Sequence, residues 1–224
     1  MDLNEFLIKI SKYAIPALFA ITLHEVAHGW TARYFGDRTA EMLGRLSLNP
    51  LRHIDPIGTV LVPGLLLVVG GPLLGWAKPV PVDTSVARNP RRAMIVVALA
   101  GPAANLLMAA AWCAVLVAIT RVIAITRVDG IVTLDYWIAY MAQAGILTNV
   151  ILAVFNLLPI PPLDGGRVLA GLLPPRMSAR LASLEPAGLF IALGLSMFGL
   201  FGWLFDPALR MVGRVVDVLM RTPA

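Results

Sequence analysis

Long apolar stretches dominate the pattern of hydrophobic and polar positions along this chain. Four of them contain no charged side chain: residues 56–77, 93–120, 136–163 and 186–205. Because a helix needs about 20 apolar residues to cross the hydrocarbon core of a bilayer, each stretch is long enough to span a membrane. A fifth apolar stretch, residues 13–32, includes a glutamate and two histidines. The pattern predicts an all-α polytopic membrane protein with about four to five transmembrane helices.

The composition supports this prediction. Hydrophobic residues make up 58% of the 224 positions and charged residues only 14%, with a mean hydropathy of +0.81. Soluble domains contain about 25% charged residues, so a water-soluble globular protein is excluded. The net charge is +5, but the basic residues are scattered between apolar stretches and form no stripe that would bind nucleic acid. We expect a single membrane-embedded domain over residues 1–224, with the lipid bilayer and not nucleic acid as its partner.

One motif carries metal chemistry. His24, Glu25 and His28 form an HExxH pattern inside the apolar stretch 13–32. Residues four apart share one face of a helix, so both imidazoles can bind one metal ion while the carboxylate lies beside an open coordination position. A carboxylate at membrane depth costs about 2.5–3.5 kcal/mol on insertion scales and usually marks a functional site. The alternative, two histidines that only form hydrogen bonds to neighbours, leaves that cost unexplained.

Two imidazoles do not complete a zinc site, so a third ligand is needed. His53, Asp55 and Asp164 are chemically suitable candidates. Asp164 follows three prolines and precedes Gly165 and Gly166, and such broken backbone near the bilayer is tolerated only where protein or a water-filled cavity surrounds it. His53 lies in a polar stretch, where a surface or loop-fastening role is the alternative. The sequence therefore favours Asp164 over His53.

The segment 57–75 is predicted to enter the membrane and return on the same side. Pro63 and Pro72 interrupt a helix, and a pair of glycines at 70 and 71 permits a turn. On this re-entrant path eleven basic residues lie on one side of the membrane and seven on the other, whereas a full crossing divides them nine to nine. The positive-inside rule favours re-entry, which also brings Asp164 to the histidines. We expect a multi-pass cell-membrane protein with its active site nearer the cytoplasm.

These motifs together resemble the site-2 protease family of intramembrane zinc metalloproteases. The resemblance rests on HEVAH at 24–28, GPAAN at 101–105, and the segment from Asn156 to Gly166 with its LDG. The stretches GRLSLNP at 44–50 and WAKPVP at 76–81 are similar to the compact branch of that family. No segment is long or polar enough for a PDZ or CBS module. The resemblance spans about residues 20–170.

The resemblance implies an enzyme that hydrolyses peptide bonds within or near the transmembrane segments of membrane proteins. It implies one zinc ion per chain on His24, His28 and Asp164, with Glu25 as the catalytic base. Asn156 would be a nearby polar residue that supports the transition state. A transmembrane protein would be the substrate, and a helical substrate must unwind before its carbonyl groups can be attacked.

Two further regions are candidates for contact with the reacting peptide. Residues 43–51 are expected to form a small β-like loop after the first helix, which could pair with an unwound substrate as an added strand. Asn105 could donate a hydrogen bond to the oxyanion, with helix packing beside Pro102 as its alternative role.

Two functions from other classes compete with proteolysis. An ion or proton transporter could use the intramembrane histidine, glutamate and aspartate side chains as a relay. A zinc-binding membrane scaffold without catalysis is the second alternative, and the presence of Glu25 argues against it. Transport would continue without metal, whereas proteolysis would stop in a chelator.

Overall fold

The protein is all-helical in the computed structural model, which describes residues 3–62, 64–65, 77–126, 134–197 and 200–221. This part of the chain contains no β-strand. Its α-helices, in chain order, are α1 (Leu3–Tyr34), α2 (Thr39–Met42), α3 (Pro90–Thr126), α4 (Leu134–Asn156), α5 (Asp164–Leu172), α6 (Pro175–Ala182), α7 (Glu185–Met197) and α8 (Leu200–Arg221). Shorter turns of helix lie at Pro50–Arg52, Pro56–Leu61 and Thr84–Val86.

Two of the described helices are long and apolar enough to cross a membrane. They are Pro90–Val122 within α3 and Tyr136–Asn156 within α4, with mean hydropathies of 2.0 and 1.8. The all-α class expected from the apolar stretches is therefore confirmed, while the number of four to five transmembrane helices stays a prediction. Most of the predicted re-entrant segment 57–75, at residues 63 and 66–75, lies outside the described residues.

The chain divides into two compact units, each assembled from separate stretches of sequence. Unit 1 comprises Met1–Ala20, Asn105–Val154 and Phe201–Ala224, and unit 2 comprises Ile21–Ala104 and Phe155–Leu200. The long helices α1 and α3 contribute one part to each unit. Because the HExxH motif and Asp164 both belong to unit 2, the candidate chemistry lies within one unit.

Small and apolar side chains of α3, α4 and α8 form the core of unit 1. The buried cluster consists of Ala109, Cys113, Leu116, Ala139, Ala142, Ile146 and Val150. One face of α8 packs against this cluster through Ala208, Leu209, Val212 and Val216. Gly145 allows α4 to approach Trp112, because a Cβ there would lie 2.5 Å from the indole ring. Close helix contact through small residues is typical of membrane proteins.

Arginine side chains fasten the loop that follows α1 in unit 2. Arg45 donates to the carbonyl oxygens of Arg52 and Lys78, and Arg52 donates to the carbonyl oxygen of Gly44 at 2.8 Å. Gly44 has a left-handed backbone conformation with φ +63°, which turns the chain after α2. These side chains occupy backbone acceptors around the loop, and residues 43–51 consist of a turn, irregular backbone with a bend, and the start of a short 3-10 helix. The expected β-like loop is therefore not a strand in the described residues.

Candidate active site

His24 and His28 lie one helical turn apart on α1, in unit 2. Both residues are buried, with exposed fractions of 7% and 5%. Their Nε2 atoms are 3.0 Å apart, and the two rings meet edge to face. The spacing of four residues thus brings two imidazole nitrogens together, as the HExxH motif predicts.

Asp164 reaches the same point from the first residue of α5. Its Oδ2 atom lies 3.2 Å from Nε2 of His24 and 3.3 Å from Nε2 of His28. The potential ligand atoms of these three buried residues all lie within 4.8 Å of one another. The other two candidates for the third ligand, His53 and Asp55, do not belong to this group.

Two glycines after Asp164 allow the start of α5 to approach neighbouring backbone closely. A Cβ on Gly165 would lie 2.2 Å from the carbonyl oxygen of Leu157, and a Cβ on Gly166 would lie 2.5 Å from the backbone nitrogen of Pro161. No larger side chain fits at either position without moving backbone atoms. The start of α5 therefore packs tightly against the segment that follows α4, and this packing delivers the aspartate to the histidines.

The three ligand atoms fit a zinc ion. In a tetrahedral site with bonds of about 2.0–2.2 Å, neighbouring ligand atoms are about 3.3–3.6 Å apart, and the separations here are 3.0, 3.2 and 3.3 Å. Asp164 Oδ2 is buried and forms no hydrogen bond of acceptable geometry with the described residues. A buried carboxylate oxygen without a donor is costly unless a cation lies beside it. Imidazole and carboxylate are also ligands that zinc accepts.

A backbone carbonyl of α3 sets the tautomer of His28. Nδ1 of this residue lies 2.7 Å from the carbonyl oxygen of Val97. Since a carbonyl oxygen can only accept, we assign the proton to Nδ1, which leaves a lone pair on Nε2. This lone pair and Asp164 Oδ2 are two acceptors 3.3 Å apart, an arrangement that calls for a cation. Such an outer hydrogen bond is the usual companion of a metal-bound histidine.

Gly101 allows α3 to pass directly beside the two imidazoles. A Cβ at this position would lie 2.4 Å from Nε2 of His28 and 2.6 Å from Cε1 of His24, distances that real side chains do not adopt. This glycine begins the GPAAN motif at 101–105, but the sequence alone predicted no role for it. A glycine in the interior of a helix was the available signal, since it usually marks a packing or functional constraint.

Glu25 lies next to His24 on α1 and is half-buried. Its Oε2 atom accepts a hydrogen bond of 2.7 Å from the backbone N–H of Val80. Glu25 is not a member of the three-ligand group, which agrees with a role other than metal binding. The sequence offered no signal for the Val80 contact, because a backbone donor from a distant loop leaves no periodic pattern.

The two other ligand candidates fasten loops. Nε2 of His53 donates to the carbonyl oxygen of Ser47 at 2.8 Å, and its own carbonyl oxygen accepts from the N–H of Lys78 at 3.0 Å. Asp55 accepts from two backbone N–H groups that begin the π-helical turn at Pro56–Leu61. The loop-fastening alternative for His53 therefore describes its observed contacts.

The two asparagines have different surroundings. Asn105 is fully buried in unit 1, where its Nδ2 donates to the carbonyl oxygen of Ala20 at 3.2 Å and to Oδ1 of Asn149 at 2.9 Å. These contacts favour the helix-packing role. Asn156 is the last residue of α4, is half-buried and belongs to unit 2 with the ligands. Its support of the transition state stays a prediction.

Comparison with known protein families identifies the family of this chain. The model of "Peptidase family M50" matches residues 13–125 and 117–198. The chain belongs to peptidase family M50. This result confirms the resemblance to the site-2 proteases, whose motifs lie within the matched residues, and it identifies the M50 chain as a membrane-embedded zinc metalloprotease. Neither the transporter nor the inactive scaffold gains support from it.

Curated relatives of the M50 chain carry metalloprotease names. It is 37% identical over 197 residues to "Putative zinc metalloprotease YwhC" of Bacillus subtilis (strain 168). This alignment covers 88% of this chain and 84% of that protein. It is 35% identical over 198 residues to "Putative zinc metalloprotease Rip2" of Mycolicibacterium smegmatis, which covers 84% of this chain and 71% of that protein. The Rip2 protein of Mycobacterium tuberculosis is 34% identical with the same coverage. No solved structure matches the chain.

Proposed function

We propose that this M50 protein hydrolyses peptide bonds within or near the transmembrane segments of other membrane proteins, with His24, His28 and Asp164 as its zinc ligands. The observation that carries this assignment is the convergence of three buried ligand atoms next to a glutamate that is not one of them. A transmembrane protein is the substrate, and the bilayer brings enzyme and substrate together.

The three ligands would hold one zinc ion per chain. Bound there, zinc supplies Lewis-acid chemistry, because it polarises the scissile carbonyl group and makes water nucleophilic near neutral pH. His24, His28 and Asp164 would give the ion three protein ligands, the number found in catalytic zinc sites. The single carboxylate of Asp164 offsets part of the charge of the ion in a buried site.

Glu25 would act as general base and then as general acid. Its carboxylate takes a proton from the attacking water and returns it to the leaving amine nitrogen. The hydrogen bond from Val80 to Oε2 restricts the orientation of this carboxylate. Asn156 would donate a hydrogen bond to the oxyanion, and its position in unit 2 at the end of α4 supports this role.

The decisive experiment uses the purified full chain and a set of transmembrane peptides. We expect cleavage of at least one peptide with zinc present, loss of cleavage in a chelator, and recovery when zinc is added back. Glu25→Gln is the matched inactive control. Ion flux into liposomes that persists in the chelator, without cleavage, would indicate a transporter. Zinc binding by a wild-type chain that cleaves no peptide would indicate a scaffold.

We also propose that residues 1–224 act as one membrane-embedded domain, multi-pass in the cell membrane, with the active site nearer the cytoplasm. The distribution of basic residues supports this orientation. Single cysteines at Leu66 and Ser85, in a Cys113→Ala background, test it with an impermeant thiol reagent. We expect neither position to react from outside the cell if segment 57–75 re-enters from the cytoplasmic side. Labelling of either position from outside contradicts the re-entrant path.

A further inference from the structure

An irregular segment at residues 77–83, called the strap below, contacts the helix that carries the HExxH motif. The strap is neither helix nor strand, and the prolines at 79 and 81 offer no N–H group. Three of its N–H groups bond to other parts of unit 2: Lys78 to the carbonyl oxygen of His53 at 3.0 Å, Val80 to Oε2 of Glu25 at 2.7 Å, and Asp83 to Oδ2 of Asp37 at 2.6 Å.

Asp37 anchors the far end of the strap. This residue is only 3% exposed, although it lies in the turn after α1. The two carboxylate oxygens have different partners. Oδ1 accepts from the backbone N–H and the hydroxyl of Thr39, whereas Oδ2 accepts from the N–H of Asp83. One buried carboxylate therefore joins the start of α2 to the strap.

Gly29 sets how closely the strap approaches α1. A Cβ on Gly29 would lie 3.0 Å from Cγ1 of Val80 and 2.4 Å from Cδ2 of Leu46. Val80 is 6% exposed, and Gly29 lies one helical turn after Glu25. The missing side chain at position 29 thus provides the space in which Val80 comes within hydrogen-bond distance of the Glu25 carboxylate.

We propose that Asp37 is a positioning residue for proteolysis. By accepting from Asp83, it fixes the strap, and the strap holds the Glu25 carboxylate through the N–H of Val80. The inference rests on the proposed role of Glu25 as general base. Orientation of such a group matters, since a misplacement of about 1 Å can cost about 100-fold in rate. Asp37 acts through the strap, so its loss lowers kcat and leaves the zinc ligands in place.

The test compares Asp37→Asn with Asp55→Asn. An asparagine at 37 has one acceptor oxygen, which can keep the two hydrogen bonds from Thr39. In that orientation its NH₂ group faces the N–H of Asp83, and two donors cannot form a hydrogen bond. The strap loses its anchor. Asp55 also caps a loop, but it accepts both hydrogen bonds, from the N–H groups of Ile57 and Gly58, on Oδ1 alone. An asparagine can keep both, so Asp55→Asn is a matched control outside the strap.

We expect Asp37→Asn to bind zinc and to keep the wild-type KM, while kcat falls about 10- to 100-fold. In zinc-free protein, hydrogen exchange at the Val80 and Asp83 amides should accelerate in this variant and stay unchanged in Asp55→Asn. An unchanged kcat with unchanged exchange overturns the inference. A loss of zinc in parallel with kcat also overturns it, because it shows a general structural role.

A second variant keeps the test decisive if Asp37→Asn does not fold. Val80→Pro removes the N–H that reaches Glu25 and leaves the Asp37 anchor intact. The same fall in kcat is expected, and a wild-type kcat contradicts the inference. Glu25→Gln is measured in parallel. Wild-type activity in Glu25→Gln refutes the proposed base, whereas an inactive Glu25→Gln together with a fully active Asp37→Asn refutes the positioning role alone.

Discussion

The carboxylate of Asp164 lies 3.2 Å from the imidazole of His24, although the first residue begins α5 and the second lies within α1. Neither helix carries a complete zinc site. As proposed ligands, the two imidazoles would supply neutral donors, and the aspartate would supply the third donor and the negative charge. Because the site is divided between two distant segments, removal of a single ligand tests both the metal site and the path of the chain that assembles it.

Asp164→Ala should lose zinc and activity together. The variant removes one bond to the metal and the charge that offsets it, and two imidazoles alone bind zinc weakly. His53→Ala is the comparison, because His53 bonds to Ser47 and lies outside the ligand group. We expect metal analysis of purified protein to find little zinc in the first variant and near wild-type zinc in the second. The reverse result would identify a site with three histidines.

Glu25→Gln should separate the base from the ligands. Glutamine preserves the shape of the side chain but cannot take up the proton of the attacking water. We expect zinc content to stay near wild type while the cleavage rate falls about 10²- to 10⁴-fold. Zinc content and single-turnover cleavage are measured on the same preparation. A variant that loses most of its zinc would show that Glu25 is a ligand.

The group of three potential ligands was predictable because its signals are local in sequence. The histidines of HExxH share a helix face by their spacing alone. Asp164 is marked by the prolines before it and the glycines after it. The choice among His53, Asp55 and Asp164 followed from backbone chemistry, since a broken helix near the bilayer has a structural cost that a polar loop does not.

The contacts that surround the ligands could not be predicted in the same way. The bond from Val80 to Glu25 and the bond from Asp83 to Asp37 each use a backbone donor of an irregular segment, which leaves no periodicity in the sequence. The β-like loop forms no strand in the described residues, although Leu46 and Leu48 alternate with polar residues. Arg45 bonds to the carbonyl oxygens of Arg52 and Lys78, and these contacts also leave no pattern in the sequence.

Gly101→Ala should weaken zinc binding without unfolding unit 2. The added methyl group would lie 2.4 Å from Nε2 of His28, so the imidazole must move away from its position in the site. Gly194→Ala in α7 is the matched control, since a Cβ there meets no described atom within 4 Å. Replacing a helical glycine by alanine in open space typically stabilises by about 0.4–1 kcal/mol.

Competition with a fluorescent zinc chelator measures the difference. We expect a raised dissociation constant for Gly101→Ala and a wild-type value for Gly194→Ala, with both variants helical by circular dichroism. Equal zinc affinity in the two variants would show that α3 can shift away from the imidazoles at no cost to the metal site.

The protonation of Asp37 should couple folding to pH. Burial alone would raise the pKa of Asp37, but hydrogen bonds from the Thr39 hydroxyl and from the N–H groups of Asp83 and Thr39 outweigh it and hold the pKa below its ordinary value of 3.8. A carboxyl group whose pKa is lower in the folded state stabilises the protein above its unfolded pKa. This stabilisation is lost as the pH falls through the folded pKa.

Thermal unfolding of the zinc-free chain in detergent, followed from pH 6 down to about pH 3, measures this coupling without interference from metal release. Asp37→Asn should unfold at a lower temperature than wild type at pH 6, because it lacks the bond from Asp83. The difference should narrow as the pH falls below 3.8, since wild type then loses the same bond by protonation. Asp55→Asn should follow the wild-type curve. A constant difference between Asp37→Asn and wild type across this range would show that the Asp37 carboxylate does not link the strap to folding.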